Sequence, residues 1–200
     1  MQSSYKTIAQ PCEGLFKEKG SKFFAFAYPV AHVAEIKPII ENLRKKHHPA
    51  RHVCWAYKLG YDGSEYRTND DGEPSNTAGK PILGQIDSFE LTNVLVCVVR
   101  YFGGTLLGVG GLIQAYKEAT REALAAAEIV EKPIEYIVTL RFDYAMQTTV
   151  NQLLKQHGAH VVSQKFEIEC EFLCAVPVLQ KELFLQAVSQ NADISILTIE

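Results

Sequence analysis

NVLVCVVRYFGGTLLGVGGLIQAYKEATREALAAA, residues 93–127, decides how this chain folds. A run as apolar as Val94 to Val99 suits a strand in the middle of a sheet, covered on both faces. Arg100 and Tyr101 then read as the point where the chain leaves the core. Five glycines follow within nine residues, Gly103, Gly104, Gly108, Gly110 and Gly111. Glycine adopts positive φ and admits another backbone or a phosphate at close range. From about residue 110 to 127 the spacing predicts a helix with Leu112, Ala115, Tyr116, Ala119, Ala123 and Leu124 inward. Gln114, Lys117, Glu118 and Arg121 face outward on the same reading. Unpaired amides at the start of such a helix favour an anion. The turn is not a P-loop, which needs GxxxxGK[ST], and Ile113 stands where a dinucleotide fingerprint read from Gly108 wants its last glycine. A place for a site is therefore marked, without a reaction.

Upstream, residues 5–9 and 22–30 read as a first strand pair, with Lys17, Lys19, Gly20 and Lys22 in a polar turn between them. A helix is expected over residues 32–46, interrupted by Pro38, with Arg44, Lys45, Lys46, His47 and His48 at its end, cations that complement the carbonyls there, and stopped by Pro49. Arg51 and His52 extend that basic cluster. Residues 52–60 alternate as a strand, and Asp62-Gly63 turns the chain into a short strand over residues 65–68. The stretch NDDGEPSNTAGKPILGQI, from Asn69, is too rich in charge and turn residues for strand or helix at its start. Ser75 or Asn76 would cap a helix running from Thr77 towards Ile86. Asp70, Asp71, Glu73 and Thr77 form a candidate functional loop, since an irregular segment of this length is costly unless it is used. The acids lack the spacing of an EF-hand, and His47, His52 and Cys54 match no regular zinc arrangement, so no metal and no cofactor is expected.

The chain has 200 residues, 47% hydrophobic and 22% charged, enough for one large or two small domains with self-sufficient cores. Five scattered cysteines without a CxxC pair argue against a disulfide framework, and Cys97 and Cys170 read as core residues. The absence of an apolar run of membrane length and of a leader pattern predicts a cytoplasmic protein with no membrane partner. The net charge of −3 is uneven: residues 1–130 hold 15 Lys and Arg against 14 Asp and Glu, whereas residues 131–200 hold 5 against 9. Any polyanion contact belongs to the first part. Glu131, Lys132 and Pro133 look like a seam. Beyond it the order is strand 134–142, helix 144–157, strands 160–166 and 168–176, helix 179–191 and strand 194–199, with Asp143 placed to cap the first helix and Gly158 to end it. That β-α-β-β-α-β order is the ferredoxin-like unit.

Asp70-Asp71-Gly72-Glu73-Pro74, Thr77-Ala78-Gly79-Lys80-Pro81, Arg100-Tyr101-Phe102-Gly103-Gly104, Leu107-Gly108, Gly110-Gly111-Leu112 and Ala115-Tyr116 together resemble the signature of the IMPACT family, in its bacterial YigZ-like branch. Asn76 departs from the glycine usual before Thr-Ala-Gly, and asparagine also tolerates positive φ. The resemblance implies an α+β protein: an N-terminal α/β sandwich like ribosomal protein S5 domain 2 over residues 1–131, then over residues 134–200 a ferredoxin-like βαββαβ domain like the last domain of elongation factor G. It also implies a connection with translation, because eukaryotic members regulate translation by competing for the protein partner of a kinase that acts on an initiation factor.

Three functions are compatible with these residues. A translation-associated regulatory or binding protein would contact RNA, the ribosome or a translation factor through Lys80, Arg100, Lys117 and Arg121, helped by the backbone at Gly103, Gly104, Thr105, Gly108 and Gly110. An enzyme would hold a phosphorylated or acylated small molecule at the glycine turn, with Asp70, Asp71 or Glu73 supplying a base, but no catalytic set can be named. A protein-only regulator would dock through its acidic C-terminal part. The sequence leaves the oligomeric state open.

Overall fold

A computed structural model describes residues 2–199. The apolar run at its centre is β6 (Val94–Tyr101), and it organises a five-stranded sheet with β2 (Cys12–Glu18), β3 (Ser21–Pro29), β4 (His52–Leu59) and β5 (Glu65–Asn69). The order is β2-β3-β6-β4-β5, every neighbour antiparallel. Val94 to Val99 are fully buried because both faces are covered. On one face Val94, Val96 and Val98 meet α2 (Gly79–Ser88) and α3 (Gly108–Ala125), while on the other Leu95, Cys97 and Val99 meet α1 (Val33–Lys46). Each residue of a strand points opposite to the next, so one continuous apolar segment serves two cores. The α3 stripe from Leu112 to Leu124 is buried at all six inward positions expected.

The strand runs two residues further than its apolar segment. Arg100 lies inside it, paired with Phe23 and His52 across the sheet, and is only 7% exposed. The expectation that the chain leaves the core at Arg100 is thus corrected. The first strand pair is corrected as well. Residues 12–18 form β2, and Lys17 and Lys22 face each other across a two-residue turn of Lys19 and Gly20, both at positive φ as a hairpin demands. β1 (Ser4–Ile8) pairs instead with β7 (Ile129–Pro133) in a separate two-stranded sheet.

Residues 5–132 form one compact unit, and residues 133–199 with the first described residues form a second. In the second, β8 (Glu135–Phe142), β9 (His160–Phe166), β10 (Cys170–Pro177) and β11 (Ile194–Ile199) are ordered β11-β8-β10-β9, all antiparallel. With α4 (Gln147–Gln156) and α5 (Lys181–Ser189) this is the ferredoxin-like arrangement. Phe142 and Phe172 pack edge-to-face at 4.9 Å in a core shared with Val150, Leu154, Phe184 and Val188. Asp143 makes no side-chain cap, so that expectation falls, whereas Gly158 closes α4 at a φ of 64°.

Candidate functional site

The acidic loop between β5 and α2 is built from its own side chains. Asp70 accepts hydrogen bonds from the amides of Asn76 at 2.8 Å, Ala78 at 3.0 Å and Gly79 at 2.8 Å. It therefore caps α2 from eight residues away and takes the role expected of Ser75 or Asn76. Asn76 is free for the bend itself, at a φ of 63°. Asp71 takes the amide of Val53 at 2.7 Å and the guanidinium of Arg44 at 2.6 Å, tying the loop to β4 and α1. Thr77 is buried and donates to the carbonyl of Pro74 at 2.7 Å. Asp70, Asp71 and Thr77 are consequently occupied within the protein.

Glu73 points inward, where its Oε1 accepts from Arg100 Nη1 and from Tyr116 Oη, each at 2.7 Å. The Cys54 thiol lies 3.3 Å from that same Tyr116 oxygen and 3.0 Å from the carbonyl of Asp70. Burial pushes the Tyr116 phenol well above its ordinary range, and Cys54 and Glu73 push it further. Burial likewise raises the Cys54 thiol. Both stay protonated and act as donors. The Arg100 side chain is 8% exposed and that of Glu73 4%, so the pair is a salt bridge out of water. Its guanidinium carbon sits 5.5 Å from the Phe23 ring centre and 5.7 Å from that of Phe102. Its Nε has no hydrogen-bond partner among the described residues.

This pair floors a cavity of about 510 Å³. Arg51 and His52 contribute one polar wall, and Phe102, Leu106, Leu107, Val109 and Leu112 contribute an apolar one. His52 Nδ1 lies 2.8 Å from the carbonyl of Asp71, which can only accept, so the neutral ring carries its proton there. The glycine turn forms the lip. Gly103 is required by close approach, since a Cβ there would fall 1.9 Å from the carbonyl carbon of Gly20, and its amide already donates to Ser21 Oγ at 3.1 Å. Gly104 and Gly108 are at φ of 86° and 71° with open space around them. α3 begins at Gly108 with no side-chain cap on its first amides.

Of the residues singled out in the sequence, Gly104, Thr105, Gly108 and Gly110 are exposed on this lip. Lys80 is exposed at the start of α2, while Lys117 and Arg121 are exposed on α3, the helix packed beside it. Arg121 is flanked by Glu118 at 2.8 Å and by Glu122. Arg100 is not a surface cation, because Glu73 balances it from within. Sequence reasoning missed Phe102, Leu106 and Val109, exposed at 53%, 83% and 59%. The signal was present in their being large and apolar inside a glycine-rich turn, where a merely compact corner would be polar. Among the described residues no group of His, Cys, Asp and Glu is placed to hold a metal, and no helix is long and apolar enough to cross a membrane.

A sheet-and-helix unit with an apolar, arginine-floored cleft at a strand–glycine–helix turn, followed by a ferredoxin-like unit, defines a two-unit α+β protein. The model of the Impact N-terminal domain matches residues 19–124. An IMPACT family member of Haemophilus influenzae is 30% identical over 87% of this chain and 85% of its own length. YigZ of Escherichia coli is 32% identical over 87% and 86%. The crystal structure of a hypothetical protein superposes with a TM-score of 0.78 at 29% identity, covering 100% of this chain and 99% of its own. The chain belongs to the IMPACT family.

Proposed function

We propose that this is a translation-associated regulatory protein whose N-terminal unit docks on a protein surface of the translation machinery, a ribosomal protein or a translation factor. Family membership supports the association with translation. The observation that carries the choice of a protein over RNA is the glycine turn itself, which presents Phe102, Leu106 and Val109 to solvent. Three of the arginines around it are compensated: Arg100 by Glu73, Arg44 by Asp71, and Arg121 by Glu118 and Glu122. RNA affinity comes mainly from cations left over for phosphate, whereas protein interfaces are centred on exposed apolar anchors. Lys80 and Lys117 would sit at the polar rim of such an interface.

Cosedimentation with ribosomes and pull-down from lysate, each with and without ribonuclease, test this. Leu106→Asp is expected to reduce association at least tenfold, while Lys117→Ala with Arg121→Ala changes it less than threefold. Association lost with ribonuclease, falling steeply with salt and abolished by the double alanine variant, would overturn the protein-surface reading in favour of RNA.

A further inference from the structure

We infer that the cavity at the glycine turn is a binding site for a small organic monocarboxylate with an apolar body. This goes beyond partner docking and does not rest on it, because the ligand would bind the free protein.

Four observations converge. The cavity volume, about 510 Å³, lies within the range of small-molecule sites, and its wall of Phe102, Leu106 and Val109 is apolar, which suits a hydrocarbon or aromatic body. Arg100 lines the same cavity, more than nine-tenths buried, with Nε unpartnered and with the bond to Glu73 the sole hydrogen bond of its guanidinium among the described residues. A guanidinium has five N–H donors; here Nε is buried without a partner among the described residues, and the donors not used by Glu73 are left for a ligand's acceptors at the cavity floor. The first residues of α3, Gly108 and Val109, form part of the wall, and no side chain caps that helix. Uncapped amides there favour a negative group.

Charge then narrows the class. Glu73 already neutralises Arg100, so the surplus positive character at the cavity is that of Arg51 and the helix end, roughly one to one and a half charges when the macrodipole counts as about half a charge. That surplus balances a single negative charge. A phosphate dianion would exceed it and would leave the apolar wall unused. The carboxylate is therefore placed towards Arg51, Arg100 and the start of α3, with the apolar body along the wall formed by Phe102, Leu106 and Val109.

The test uses the full chain and decanoate as the probe, with decanamide as its uncharged counterpart. Displacement of 1-anilinonaphthalene-8-sulfonate fluorescence and titration calorimetry provide the readouts. One-to-one saturable decanoate binding is expected, at least tenfold tighter than decanamide. Leu106→Asp and Arg51→Glu, both at exposed positions, should each weaken it at least tenfold without lowering the thermal midpoint. Absence of saturable binding, equal binding of decanamide, undiminished binding in both variants, or displacement of the dye by inorganic phosphate at lower concentration than decanoate would each overturn the inference. Phe102, Leu106 and Val109 serve both readings, but decanoate binding is measured on the isolated chain without ribosomes, so a failure there leaves the cosedimentation result to be judged by itself.

Discussion

Replacing Glu73 by Gln should destabilise the N-terminal unit by about 3–5 kcal/mol, the range for removing one partner of a buried salt bridge. The contact is at 2.7 Å with both side chains under a tenth exposed, so solvent screens it little. Charges about 4 Å apart at an effective dielectric constant near 20 attract by about 4 kcal/mol. The Gln oxygen can still accept from Tyr116, so what is lost is chiefly the charge, leaving Arg100 as an uncompensated buried cation. Tyr116→Phe removes instead one hydrogen bond to a charged acceptor, worth about 1.5–3 kcal/mol. In the double variant Glu73→Leu with Arg100→Met both charges go together, and stability should recover to within about 1.5–3 kcal/mol of the parent, the cost of the Tyr116 bond, whose acceptor leucine does not replace. The assay is urea unfolding followed by the fluorescence of Trp55. It is the only tryptophan of the chain and lies in β4, so it reports on the N-terminal unit. A cost below about 1 kcal/mol for Glu73→Gln, or a double variant as unstable as its two single changes summed, would refute the reasoning.

Four further outcomes follow from the same structure. Gly14→Ala places a Cβ 2.3 Å from the backbone nitrogen of Ala123 and should cost more than about 1–3 kcal/mol. By contrast Gly84→Ala, in α2 with open space around it, should stabilise by up to about 1 kcal/mol in the same Trp55 melts. The amides of Ala31 and His32, in that order, hold the Glu35 carboxylate below its ordinary range at the start of α1. A depressed folded value contributes stability above the unfolded value and loses it as the pH falls through the folded one. The thermal-midpoint gap between the parent and Glu35→Gln should therefore be present at pH 7 and shrink progressively as the pH is lowered through and below the ordinary carboxylate range; a gap unchanged by acidification would count against the hydrogen bonds from Ala31 and His32. Finally, Cys54, Cys97, Cys170 and Cys174 are buried; burial pushes the thiols of Cys54 and Cys97 far above their ordinary range and raises that of Cys174 to about 12. Ellman's reagent should find at most Cys12 in the native protein and all five in urea.

What was legible in the sequence and what was not divides along local against distant causes. The all-apolar run before Arg100 had to be an interior strand, and the inward stripe of α3 followed from its spacing alone. The ferredoxin-like order was equally local, since each of its elements carries its own pattern and its own breaker. Arg100 misled because charge at the end of an apolar run normally means solvent, and its partner Glu73 is 27 residues earlier, beyond any periodicity. The same holds for Asp70, whose capping targets are contributed by a loop that closes only in three dimensions. β2 was overlooked for a different reason: CEGLFKE carries two glutamates, a lysine and a glycine, which read as turn chemistry. On an edge strand the charges face outward, and Gly14 is there to let the backbone of α3 approach. The site suffered accordingly: the loop and the turn were picked out, but the cavity joining them was not, since it is floored by Arg100, the one of four cations assigned to the surface that is in fact buried.

The pairing of β1 with β7 affects how the protein is dissected. The family match, residues 19–124, begins after both β1 and β2 and stops before β7. A fragment cut at those limits would strip the edge strand on which α3 lies and would discard both halves of the clasp that joins the beginning of the unit to its end. Such a fragment is expected to be sticky rather than selective, capturing bystanders through the uncovered edge of β3. Interaction mapping with half-proteins should retain everything from β1 to Pro133.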